Sequence, residues 1–496
     1  MKKIIVSYLF LLVVSTHLIA QVNRDTISLK DKIDTYLSQG VSEGFSGAVL
    51  VAKEGQIVLH KGYGMARKED SVPYKATTVS TIGSVTKQFT ATAILKLEEL
   101  NLLNVEDSIH TFFSNLPDDK KDITLHQLLT HTSGLVGEVG EGDFDEIPTE
   151  VFFNRLFASP LQYKPGTKYA YSNAGYSVLA RIIELVSGME YESFLHQYLF
   201  KPAGMTDTGY FIPDWKHAEI ASGYAYNVVG LGTLISRFQK TGVISWNLKG
   251  NGGIHSTTGD MFKWYQALKN HKVITQGSFK KLTTPYVQEY EDGQSHYAYG
   301  WAIYRTENNS KIISHNGGNG IFFHDYIWLP EEDIVIILFT NASSRETEVA
   351  WPIRKMMFDA DYQVEPIKRN IYQLTHDFIK AGSTKNPDDL IAEITDKYRS
   401  QIKSPSPLNR LGYRILKKEL IQTDETTKWA IAIFKLNTAL FPNDGNSWDS
   451  LGEAYVKNNQ KSKAVESYKK ALQLAPKEHC DWCESSRKAL KELRKN

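Results

Sequence analysis

"STIGSVTKQFTATAILKLEEL", Ser80 to Leu100, places a serine and a lysine, Ser84 and Lys87, three positions apart where a helix begins. Phe89, Ala91, Ala93, Ile94 and Leu95 follow, and so apolar a segment predicts a buried helix. A spacing of three puts Lys87 on the same face as Ser84, one turn on. Desolvation there lowers an amine's pKa and fits it for proton transfer. The helix N-terminus adds free N–H groups that favour an oxyanion. By itself the stretch also reads as a helix-starting serine beside a solvated lysine. S-x-x-K recurs at Ser278, Ser400, Ser467 and Ser485, where nothing else supports catalysis.

Two more pieces bear on the choice. "KYAYSNAGYSVLA" sets Tyr171 and Asn173 at a loop-to-helix junction, from which side chains reach a cleft. A phenol there exchanges a proton with a serine hydroxyl when a nearby cation favours the phenolate. Asn173 can hydrogen-bond Lys87 and a substrate amide, although an aromatic helix start with an asparagine cap explains the same residues. "IISHNGGNG" ends a strand in His315-Asn316-Gly317-Gly318, with unobstructed backbone N–H groups beside an imidazole. Asn-Gly and Gly-Gly pairs also mark ordinary turns.

Together and in this order, the three pieces resemble the serine β-lactamase and penicillin-binding-protein-like superfamily, nearest its class C β-lactamase, D-aminopeptidase and carboxylesterase-like members. The likeness runs from roughly Val41 to Phe358, with "FSGAVLVAKEGQ", "LLTHTSGL", "KPAGMTDT", "GNGGIHSTTGDM" and "YAYGWAIY" as landmarks. It implies an α+β, β-lactamase/transpeptidase-like fold: an antiparallel sheet flanked by helices, with an inserted all-helical lobe. It also implies acyl transfer at Ser84, with Lys87 as proton-transfer partner and Tyr171 as the base that later protonates the leaving group. Asn173, His315 and Gly317 are then expected to meet the substrate. The oxyanion hole would be the backbone N–H groups of Ser84 and Gly318, with neither metal nor cofactor.

One position departs from the family pattern. β-Lactamases and penicillin-binding proteins usually carry Lys-Thr-Gly at the third motif, where this chain has His315. A neutral imidazole, whose ordinary pKa is near ~6.5, offers no permanent charge to a substrate carboxylate. The expectation is therefore a small ester or a D-amino-acid-containing peptide as substrate, with His315 orienting Tyr171 or a polar substrate group. The alternatives are a β-lactamase or D-Ala-D-Ala carboxypeptidase, and a non-catalytic cell-wall-peptide-binding protein.

The rest of the chain sets the context. It has 496 residues, 42% hydrophobic and 23% charged, and a formal charge of +1. That balance is globular and gives no electrostatic reason to expect nucleic acid or an anionic membrane. Residues 1–20 read as a signal peptide: Lys2 and Lys3, an apolar Ile4–Val14 run, and cleavage near Ala20. Export to the periplasm or beyond is expected, with no stable membrane span after cleavage.

Residues 27–363 are expected to form the hydrolase domain. It opens with a short helix over Ile27–Tyr36 and a hairpin turning at Glu54-Gly55. A mostly helical stretch follows to about Gly250, then strands at "YGWAIYR", "KIISHNGG", "FFHDYIWLP" and "DIVIILFTN", and a helix near Ala350. Residues 364–408 read as a helical linker. In 409–496, Ala430, Phe434 and Pro442 recur 34 residues later as Ala464, Tyr468 and Pro476, and Trp448, Leu451, Gly452 and Tyr455 fit a tetratricopeptide-like spacing. Such repeats, with a capping helix, are expected to buttress the hydrolase domain or bind a protein partner. Cys480 and Cys483 are the only cysteines and suggest a local disulfide or free thiols. The acidic run Glu138, Glu141, Asp143, Asp145 and Glu146 reads as a solvated loop or a cleft rim favouring cationic substrates, and His126, His131 and His255 as structural.

Overall fold

Glu54 and Gly55 both take positive φ, 52° and 75°. This is the backbone of a tight hairpin turn, whose twist matches that of the strands it joins. It connects β1 (Gly47–Lys53) to β2 (Gln56–Tyr63). The other strands of the main sheet are β3 (Val287–Gln288), β4 (His296–Tyr297), β5 (Ala302–Arg305), β6 (Lys311–Gly318), β7 (Phe323–Leu329) and β8 (Ile334–Thr340). The order is β2-β1-β8-β7-β6-β5-β4-β3, antiparallel throughout. Pairing of β1 with β8, from Gly47↔Thr340 to Lys53↔Ile334, joins the two ends of the domain in one sheet. The structure is a computed structural model and describes residues 28–140, 142–143, 145–215, 219–291, 293–342, 347–382, 386–476 and 478–494. The signal-peptide reading over 1–20 lies outside them.

Side-chain alternation along the strands makes two cores. On one face Leu50, Ala52, Ile313, Tyr326, Ile337 and Phe339 pack with Phe89, Trp264 and the helical lobe. On the other, Val49, Val51, Ile312, Ile327, Ile336 and Leu338 pack under the helices Leu29–Ser42 and Ala350–Phe358. Both faces are covered, so β8 is buried along its length and reads as a continuous apolar run. The first helix, Leu29–Ser42, is longer than expected. Ser28 starts it by accepting from the Asp31 amide at 3.1 Å, and Ile33 and Leu37 hold it on the sheet.

The C-terminal helices Ile371–Lys380, Pro387–Tyr398, Ser406–Leu416, Thr426–Leu440, Gly445–Lys457, Lys461–Gln473 and Cys483–Leu493 follow. Leu374, Leu390 and Ile394 from the stretch read as linker share one core with Leu411, Phe434 and Leu451. Gly452 gives Tyr468 its place: a Cβ there would lie 2.9 Å from that ring. Contact with the first domain runs through Tyr226, stacked 4.5 Å from Tyr372, and Asn227, whose Nδ2 donates to Gln373 at 2.8 Å. Cys480 and Cys483 form a disulfide. Among the described residues no helix is long and apolar enough to cross a membrane.

Candidate active site

Ser84 sits in a 3-10 turn, Gly83–Thr86, that runs into the helix Lys87–Glu99. The sequence pattern predicts one helix starting at Ser84. The tighter turn instead aims the serine at the end of β6. Gly83 has φ 52°, and a Cβ there would meet the Gly318 amide nitrogen at 2.9 Å. A Cβ on Gly317 would lie 2.1 Å from the Ile82 carbonyl oxygen and 2.9 Å from the Ser84 nitrogen. Two glycines thus let the serine turn and the strand end touch backbone to backbone. Gly317 was expected to meet substrate. It is buried against the serine turn, while Asn316 and Gly318 on either side are exposed.

Lys87 is fully buried. Its Nζ donates to Asn173 Oδ1 at 2.7 Å and to the Asn251 carbonyl at 2.9 Å, and it lies 3.3 Å from Ser84 Oγ. Burial drives its pKa well below the usual amine range, against opposing charge from Asp143 and Glu138. A neutral amine has two N–H donors and one lone pair. If deprotonated, with Asn173 and Asn251 taking both donors, Lys87 would present that lone pair to the Ser84 hydroxyl.

Ser172 caps the helix Asn173–Ser187, its Oγ accepting from the Gly175 amide at 3.0 Å. That cap fixes Tyr171 just outside the helix and Asn173 at its first position. Asn173 also donates from Nδ2 to Glu138 at 3.3 Å, so the acidic loop reaches the site through one residue. Glu141 of that loop lies outside the described residues. The Tyr171 ring lies under Lys87, 4.6 Å from Nζ to its centroid. Tyr171 is 38% exposed in the cleft; desolvation of its hydroxyl end raises the phenol's pKa, opposed by a hydrogen bond with Ser84 and another with Tyr297.

His315 differs from expectation in its partner. Its Nδ1 donates to the Asn316 carbonyl at 2.6 Å. That fixes the tautomer, leaving Nε2 to accept from the Tyr297 hydroxyl at 2.9 Å. His315 therefore reaches Tyr171 through Tyr297. Burial lowers its pKa to about 3, so the ring is neutral.

Several residues here are not legible in the sequence. Tyr297 lies inside the landmark "YAYGWAIY", where an aromatic-rich run gives no role to any one ring. Asn251 contributes only its carbonyl, which no side-chain pattern reveals. His131 is more than a packing residue: its ring lies 4.2 Å from that of Tyr171, and its Nδ1 accepts from the Ser172 amide at 3.1 Å. His126 bonds Tyr299 at 2.7 Å, and His255 is buried on a short strand pairing with Thr81. Ser84, Tyr171, His315, Asn316 and Gly318 line one cleft of about 710 Å³, with Glu289 and Tyr304 at its far side. Among the described residues no group of three or more His, Cys, Asp or Glu side chains is placed to hold a metal.

The chain matches known proteins over this region. The Beta-lactamase family model matches residues 41–355. A penicillin-binding protein of Bacillus subtilis (strain 168) is 30% identical over 293 residues, covering 56% of this chain and 64% of its own length. Protein flp of Staphylococcus aureus (strain NCTC 8325 / PS 47) is 27% identical over 334 residues, 65% of each chain. The chain thus spans less than two thirds of these relatives. The solved octameric penicillin-binding protein homologue from Pyrococcus abyssi superposes with a TM-score of 0.57 at 25% identity, covering 71% of this chain and 80% of that one.

Proposed function

The chain belongs to the Beta-lactamase family, and from that premise we propose that it is a serine hydrolase working through an acyl-Ser84 intermediate. The observation that carries this reading is the buried Lys87 amine, held by Asn173 and Asn251 with its Nζ 3.3 Å from Ser84 Oγ. In the first half-reaction Ser84 Oγ attacks the carbonyl carbon and its proton passes to Lys87 Nζ. The oxyanion falls to the backbone N–H groups of Ser84 and Gly318, which cost no reorganisation in the transition state. Tyr171, kept a phenol by desolvation of its hydroxyl, is suited to protonate the leaving group. This makes Lys87 the base and Tyr171 the acid, where the motifs alone suggest Tyr171 as base. Water then attacks the acyl carbon along the reverse proton path.

The substrate is a small ester or a D-amino-acid-containing peptide, as in the class C-like, D-aminopeptidase and carboxylesterase-like branch. What supports this is the neutral His315, which gives a substrate carboxylate no cation. A second reading, a β-lactamase or D-Ala-D-Ala carboxypeptidase, draws on the penicillin-binding proteins among the relatives. Export rests on the N-terminal sequence, and the C-terminal helices act as tetratricopeptide-like repeats that buttress the catalytic domain or dock a protein.

The test compares wild type with Ser84→Ala against a fluorophosphonate probe and a panel of p-nitrophenyl esters. A mass adduct and turnover that both depend on Ser84 are expected. Their absence defeats the hydrolase reading in favour of a binding protein. Fast nitrocefin turnover would instead favour the second reading.

A further inference from the structure

The cleft does not end at the nucleophile. Strand β5 last pairs with β6 at Ala302↔Ser314, so beyond Ser314 that edge of β6 has no strand beside it among the described residues. The cleft wraps round this free edge, from Ser84 toward Tyr304, Trp351 and Asp325. Asp325 lies on β7, between Asn316 of β6 and Leu338 of β8. It interrupts a run whose other residues from His324 to Leu329 are buried and, His324 apart, apolar or aromatic.

Asp325 is 5% exposed, and its Oδ2 has no hydrogen-bond partner among the described residues. A buried carboxyl group left in that condition costs free energy until something supplies donors. The neighbours do not. Ser314 Oγ donates to the Tyr304 hydroxyl at 3.3 Å. Arg354 lies over the Trp351 ring, 5.6 Å from its centroid, and forms no ion pair with Asp325 among the described residues. A carboxylate ligand would meet like charge, since Glu289 lines the same cleft. An ammonium group would meet a carboxylate and the Tyr304 ring, which favour a cation, against the like charge of Arg354 held over Trp351.

We propose that Asp325 anchors a subsite for an ammonium-bearing part of the substrate, reached round the free edge of β6 from Ser84. This rests on the hydrolase reading for the word substrate, but not for the binding site. Burial, with Glu348 nearby, pushes the Asp325 carboxyl up to about 7, and a bound cation would draw it back toward the ionised form.

Two measurements test the proposal. The first is ligand-observed NMR with n-butylammonium chloride and its neutral counterpart n-butanol, on wild type, Asp325→Asn and Asp325→Ser. Wild type should prefer the ammonium, and both variants should lose roughly tenfold or more of its affinity. Equal affinity in wild type and variants, or no preference over butanol, overturns the subsite whether or not the protein is an enzyme. The second is the kcat/KM ratio for the p-nitrophenyl esters of β-alanine and propionic acid. Asp325→Asn should lower that ratio roughly tenfold, and an unchanged ratio counts against the subsite. Asp325-dependent ammonium binding without Ser84-dependent turnover would uphold the subsite and defeat the hydrolase reading.

Discussion

Gly317→Ala is the sharpest test of how the serine is held. The new Cβ would stand 2.1 Å from the Ile82 carbonyl oxygen and 2.9 Å from the Ser84 nitrogen. A carbon–oxygen contact relaxes at roughly 3.3 Å, so the strand end or the serine turn must give by roughly 1.2 Å. Both atoms are backbone, and no side-chain rotation relieves the clash. Overpacking of this kind costs about 1–3 kcal/mol in stability. The larger effect falls on chemistry, because the shift separates the two amides proposed to hold the oxyanion. Misplacement by about 1 Å, or loss of one such donor, lowers kcat by about 10²–10³-fold. The assay is Ser84-dependent p-nitrophenyl ester hydrolysis, with circular dichroism to verify folding. Gly259→Ala serves as control: its Cβ meets only His60 Cε1 at 3.6 Å and the Thr257 hydroxyl at 3.8 Å, away from the site. A folded Gly317→Ala enzyme with kcat within threefold of wild type would refute the reasoning.

Other expectations follow from the same geometry. Lys87→Met should cut kcat by about 10²–10⁴-fold and slow fluorophosphonate labelling in proportion, since the proposed base beside Ser84 is gone. Tyr297→Phe breaks the link between His315 and Tyr171, and should lower kcat about tenfold or more with little change in KM. His315→Lys should raise affinity for carboxylate-bearing β-lactams about tenfold, measured by competition with the fluorophosphonate probe. No gain would count against the role given to that position. Melting temperature should fall on acidification. His255, His315 and His324 have folded pKa values lowered to about 3 by burial, so the unfolded chain binds more protons below about pH 6.5. Their stabilisation is complete above that pH and is lost as pH falls toward 3, by about 2 kcal/mol per ring at pH 5. Asp325 works the other way, its protonated form favouring the fold as pH drops below about 7. Replacing His324 with Gln should flatten the acid limb in a thermal melt series.

Periodicity and short-range chemistry wrote much of this protein into its sequence. The Glu54-Gly55 turn between alternating runs, the apolar strand at Ile334–Thr340 and the loop-to-helix junction at Asn173 each depend on a few neighbours in the chain and are legible there, although the cap is Ser172 and not the asparagine. Ser84, Lys87, Tyr171 and Asn173 are legible as types and spacings for the same reason. What local sequence could not decide is which atoms face one another across long separations. Lys87 is satisfied by a carbonyl 164 residues away, at Asn251. His315 holds the Tyr297 hydroxyl because β4 and β6, with β5 between them, bring the two side chains together past the last β5 pair. Gly317 packs on the serine turn because the chain returns there backbone to backbone. Burial, which keeps His315 neutral and lowers the pKa of Lys87, is a property of the closed fold. Sequence therefore named the candidate groups, and tertiary packing decided which of their atoms meet.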